Sequence, residues 1–122
     1  MRIVRLKMKI SECIEELQRR GVSIAKLTEN KYFIDTKIIM QDGSALPVFL
    51  ASIASELYLA DYVGVLKDYN PSQEELAIIK KLAKKYGVTF EDYGFLLKVD
   101  GDIYDSFNDF VKVVVSALAI CE

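Results

Sequence analysis

The sequence predicts an α+β domain in which an antiparallel meander sheet is covered by helices, in the order α-β-β-β(-β)-α-β-β-α. Three observations carry this. Residues 9–20 and the segment from 72 to 86 repeat apolar residues at three-to-four spacing and each runs into a glycine, as amphipathic helices do. Between them, residues 22–64 are rich in strand formers and are interrupted by turn residues. The tail from Ile103 to Ile120 returns to helical spacing after two short strand-like runs. At 122 residues and 13.8 kDa the whole chain, 1–122, fits a single domain.

The first helix is expected over Lys9 to Arg20. Ile10, Cys13, Ile14 and Leu17 share one face, Glu12, Glu15 and Glu16 lie early, and Arg19 and Arg20 lie late, as the helix dipole prefers. Gly21 stops it. Residues 22–27, VSIAKL, then read as a strand ending in the turn Thr28-Glu29-Asn30.

YFIDTKIIM, residues 32–40, reads as the next strand, followed by Gln41-Asp42-Gly43-Ser44, in which Gly43 takes positive φ at no steric cost. LPVFLASIAS returns as a strand with Pro47 near its start, and ELYLADYVG completes the meander. In that last strand Tyr58 and Ala60 share one face while Leu59 and Asp61 share the other. Asp61 is therefore buried unless regular pairing stops near it, which is the expectation, with Gly64 permitting the bend that follows.

Ser72 with Glu75 forms a capping box, and Asn70 with Pro71 is a competing start for the same helix. Leu76, Ile79, Leu82, Ala83 and Tyr86 make its buried stripe before Gly87. Val88-Thr89-Phe90 and residues 95–99 read as short strands about Glu91-Asp92-Tyr93-Gly94. In the final helix Ile103, Phe107, Phe110, Val111, Val114 and Leu118 keep helical spacing, with Ser106 and Asp109 as a capping box. Its VVVSALAI stretch is apolar on every side, so it is either fully buried or presents Val113 and Val115 to another chain.

Composition narrows the function classes. Net charge is −2, but residues 1–31 hold eight Lys or Arg against four acids, and residues 87–122 hold two against seven. Opposite-sign ends suit an acidic partner, head-to-tail self-association, or solvated faces that balance each other. There is no histidine, and Cys13 and Cys121 lie far apart without a CxxC spacing, so a disulfide framework, the usual zinc sites and imidazole acid–base chemistry are disfavoured. No Gly-rich phosphate loop opens a helix, so no cofactor is implied. The amino terminus MRIVRLKMKI is broken by charge too often for a signal peptide or membrane span, and a cytoplasmic location is expected. Three Gln and three Asn beside abundant Lys and Glu hint at a thermophilic source.

The sharpest chemical option is a carboxylate metal site. Asp35-Thr36-Lys37 matches part of a metal-dependent nuclease pattern, in which acids hold Mg²⁺ and a lysine positions water. Asp61 is a candidate to join it, and Glu29 and Asp42 lie in neighbouring turns. A nucleic-acid surface would use Arg2, Arg5, Lys7, Lys9, Arg19 and Arg20, with most aromatics at core spacing rather than on a basic strand face. Partner binding is the leading reading: a non-enzymatic, chaperone-like, adaptor or inhibitor module, acting as a homodimer and using Val113, Val115, Tyr58 and Tyr62.

Two resemblances follow from these residues. The element order is similar to the type III secretion chaperone fold, shared with YbjN-like proteins. The run from IDTKIIMQDGSALPVFLAS through ELYLADYVG, EELAIIKKLAKKYGV and FEDYGFLLKV resembles domain-of-unknown-function family 1828, matching at Asp42 and Gly43, at Leu59, Asp61 and Gly64, and at Tyr86, Gly87 and Val88. It departs at Ala60-Asp61-Tyr62-Val63-Gly64, where the family tends to have paired Asp before Gly. The resemblance implies no activity. It does imply an origin that includes phage and mobile elements, and with it an anti-defence or host-factor-binding role.

Overall fold

A computed structural model describes residues 9–122 of the chain. Helix α1 spans Ile10–Arg19, and strands β1 Ser23–Thr28, β2 Lys31–Asp35, β3 Phe49–Ile53 and β4 Glu56–Ala60 follow. A short 3₁₀ turn, Lys67–Tyr69, leads to helix α2, Gln73–Lys85. Strands β5 Thr89–Glu91 and β6 Gly94–Lys98 and helix α3, Ile103–Cys121, complete the chain. The class is α+β in the expected order, with one antiparallel six-stranded sheet arranged β1-β2-β3-β4-β6-β5.

Several boundaries follow from local hydrogen bonding. The Ser72 side chain accepts from Glu75 N–H while the Glu75 side chain accepts from Ser72 N–H, so α2 begins on the capping box. Asn70 instead ends the 3₁₀ turn in the left-handed conformation, φ 48°. In α3 the cap is Asp102, whose carboxylate accepts from Asp105 N–H, one turn ahead of the expected Ser106 and Asp109 pair.

The strand expected over residues 32–40 ends at Asp35. The Asp35 carboxylate turns back to accept Lys37 N–H at 2.8 Å, Thr36 Oγ1 accepts Ile38 N–H, and Lys37 sits at φ 62°. Such side-chain-to-backbone bonds compete with a ladder and win here. The Asp42-Gly43 turn closes a separate small loop, held by Met40 N–H to Ser44 O at 2.8 Å and a bridge between Ile39 and Ala45. Leu46 and Val48, at the end of that loop, are fully buried. The β3–β4 hairpin also turns earlier than expected, on Ala54 (φ 51°) and Ser55 (φ 66°), with no glycine to announce it.

Alternation assigns the two faces of the sheet. Ile34, Leu50, Leu57, Leu59, Phe95 and Leu97 are buried on one face. They join Cys13 and Leu17 of α1, Ile79 and Ala83 of α2, and seven residues of α3 in a single core cluster. Helix α3 lies centrally, touching α1, α2 and β6. That placement corrects one expectation: Val113 is fully buried rather than outward-facing, because a helix flanked by two others and a sheet has core on three sides. Val115 keeps 37% exposure. Among the described residues no helix is long and apolar enough to cross a membrane.

Candidate binding face on the sheet

The second face of the sheet carries the residues that alternate with the core positions. Strand register lines up Lys31, Ala51, Tyr58 and Lys98 in one row, and Ala25, Phe33, Phe49, Ala60, Leu96 and Thr89 in the next. No described helix packs on these rows. Ala51 and Ala60 are nevertheless buried.

Three rings form a chain across the face. Phe33 meets Phe49 edge to face with centroids 5.5 Å apart and an interplanar angle of 63°, and Phe49 meets Tyr62 at 5.5 Å and 71°. Lys31 Nζ lies 4.1 Å from the Tyr62 centroid and 5.0 Å from that of Phe49. Such ring pairs contribute about 0.5–1.5 kcal/mol each beyond area burial, and an exposed cation over a ring about 0.5–1 kcal/mol. The contacts therefore fix the arrangement of a surface that is already formed. Ile53 and Leu27 extend its apolar part, at 49% and 52% exposure. Charge on the face is mixed: Lys31 and Lys98 stand among Asp35, Glu56 and Glu91, and Lys98 pairs with Glu56 at 3.4 Å.

Beside Tyr62 the face holds an open groove of about 300 Å³, lined by Ala60, Tyr62, Glu91, Gly94 and Leu96 together with Asp61 and Gly64. The turn that borders it is built on Asp61. Regular pairing stops at Ala60, as expected, but the end of the strand does not free Asp61 from burial as that expectation implied: the residue is only 3% exposed, because its carboxylate turns onto backbone N–H groups instead of reaching solvent. Its two carboxylate oxygens accept from Val65 N–H at 2.8 Å and Phe95 N–H at 3.2 Å. Burial pushes its pKa up, while the backbone N–H groups that point at it pull the other way without cancelling the rise. Tyr62 follows in the left-handed region at φ 61°, a conformation that costs a non-glycine residue roughly 1–2 kcal/mol. Gly64, at φ 64°, makes the bend, and a Cβ there would lie 3.1 Å from Asp92 O.

The carboxylates of the nuclease-like reading are held apart. Asp35 is exposed at the end of β2 with its carboxylate on Lys37 N–H, and β3 separates that strand from β4 and Asp61. Lys37 lies beyond the strand, exposed, in a left-handed turn. Asp42 accepts from Ser44 in its own turn, which lowers its pKa. Among the described residues no three His, Cys, Asp or Glu side chains come together in a way that would hold a metal ion.

Of the expected basic residues, three are described. Arg2, Arg5 and Lys7 lie outside the described residues. Lys9 is the exposed N-cap position of α1, and Arg19 and Arg20 both pair with Glu16 on the helical side of the molecule. Arg20 also stacks over Tyr104 at 4.6 Å. Of the expected partner-binding residues, Tyr58 and Tyr62 are on the face that no described helix covers, Val115 is on an outer strip of α3, and Val113 is in the core.

Reading the aromatics as mostly core missed Phe33, Phe49 and Lys31. The signal was available as period-two alternation, since Phe33 precedes buried Ile34 and Phe49 precedes buried Leu50. Comparison of the chain with known protein families, with curated proteins and with solved structures returns no match in any of the three.

Proposed function

We propose that this protein is a non-enzymatic protein-binding module that associates through the face of its sheet that no described helix covers, with a second copy of the chain as the first partner. The observation that carries the reading is the row Phe33, Phe49 and Tyr62 under Lys31, on a face that no described helix covers. Large apolar surface rimmed by charge marks association sites in soluble domains. An isologous interface meets its own charges, so a single-sign face would repel itself; this face carries both signs. Two such sheets stack about 10 Å apart, and aromatic side chains are long enough to interdigitate at that spacing.

The mixed charge also argues against a phosphate-tracking surface, which needs an excess of cations. With seven residues of α3, Val113 among them, buried in its own chain, the sheet face takes over the interface role expected of that helix.

Sedimentation velocity of the full chain at micromolar concentration tests the reading. A dimer that Phe49→Asp converts to monomer is expected. A monomer at all accessible concentrations, or a dimer unaffected by Phe49→Asp, overturns self-association through this face. Binding of a single-stranded oligonucleotide that competes with assembly would move the face to nucleic acid.

A further inference from the structure

Tyr62 is the one ring of the row that no regular strand holds, since it follows the end of β4 in a left-handed conformation. Something outside its own residue must orient it. We propose that Asp61 and Gly94 form a latch that positions Tyr62 on the binding face; the proposal rests on the reading of that face given above.

The geometry has three parts. First, the Asp61 carboxylate joins two segments remote in sequence, accepting from Val65 N–H within its own turn and from Phe95 N–H on β6. Second, Gly94 does not occupy the left-handed region, so its backbone would accept alanine. What its missing side chain provides is space: a Cβ there would stand 2.9 Å from Asp61 Oδ1 and 3.4 Å from Gly64 Cα. Third, the far end of the turn is tied to the same hairpin, with Leu66 N–H on Tyr93 O at 3.1 Å and Gly64 packed close to Asp92 O. A turn pinned at both ends leaves its second residue one placement, and that placement sets the Tyr62 ring 5.5 Å from Phe49. Asp61 thus acts through Tyr62, as a positioning residue with no contact to a partner of its own.

The test uses the full chain with Gly94→Ala, which keeps every donor and acceptor but crowds the carboxylate, and Asp61→Asn, which replaces one acceptor oxygen by a donor. Nuclear Overhauser contacts between the Tyr62 and Phe49 rings are expected to disappear in both variants, those between Phe33 and Phe49 to persist, and Val65 amide exchange to speed up at least 10-fold. Ring contacts between Tyr62 and Phe49 that survive in both variants overturn the latch. So does global unfolding of either variant, because a positioning role requires an intact α3 core. Dimer dissociation constants measured alongside should weaken about 10-fold in Gly94→Ala. Lost ring contacts with unchanged association overturn the positioning role, whereas failure of the face itself is read separately from Phe49→Asp.

Discussion

Asp61 and Phe95 bond to each other in both directions, Asp61 N–H reaching Phe95 O at 3.3 Å and Phe95 N–H reaching Asp61 Oδ1 at 3.2 Å. The side chain thus substitutes for a backbone carbonyl and carries the β4–β6 ladder one step past the end of the strand. A carboxylate is well suited to this, as it offers acceptors only and meets two N–H donors.

Asp61→Ala is expected to destabilise the fold by about 2–4 kcal/mol, since it leaves the Val65 and Phe95 N–H groups buried without their acceptor. Asp61→Asn keeps one acceptor and should cost roughly 1–2 kcal/mol. Urea unfolding followed by circular dichroism checks both, and equal stability of all three proteins would contradict the pinned turn.

The pH dependence follows from the raised pKa of Asp61. A folded-state pKa above the unfolded value means that the folded protein binds the proton more tightly. The stability this group contributes is therefore complete below the ordinary carboxyl pKa and is lost as pH rises through the raised folded value. Asp61→Asn should lack this slope, so the difference between wild type and variant isolates it from nearby Glu91 and Asp92, which also line the groove. Asp42 has the opposite sign: its lowered pKa gives stability that is lost as pH falls through the folded value.

Val113→Ala should cost about 2 kcal/mol, because it empties fully buried volume between α3 and its neighbours, whereas Val115→Ala should stay within about 0.5 kcal/mol. Denaturant midpoints of the two variants decide this. Equal losses would place both valines in the core.

The Cys13 thiol is pushed up to about 11, chiefly by burial and then by Glu12, and is fully buried. Cys121 is half-buried at the end of α3, its pKa also raised by burial. A thiol reagent at pH 8 should label Cys121 first and Cys13 only on the time scale of unfolding. Mass spectrometry of partly labelled protein distinguishes the two.

Much of the fold was legible in the order of residues. The capping box at Ser72 and Glu75, the stop at Gly87, the turn before Gly94 and the end of pairing at Asp61 each depend on neighbours within a few positions, and local sequence carries such information. Two strand ends were not legible. At Asp35 a side chain competes with the ladder for the backbone, and the Ala54-Ser55 turn takes two left-handed residues that neither side chain favours, so the pairing of β3 with β4 imposes it.

The candidate site was less legible, for the same kind of reason. Tyr58 and Tyr62 could be singled out and both stand on this face of the sheet, but Phe33, Phe49 and Lys31 join them only when β2 and β3 pair in one register and bring them under one another. Val113 moved the other way, because the number of elements that surround α3 is a property of the packed molecule. What the sequence determined by itself was the class, the order of elements and the positions where they turn, all set by period, caps and backbone preference over short distances. Which face of the sheet the described helices leave free, what stands on it, and that Asp61 holds β4 to β6 were decided by tertiary contacts, since each joins residues that the chain keeps far apart.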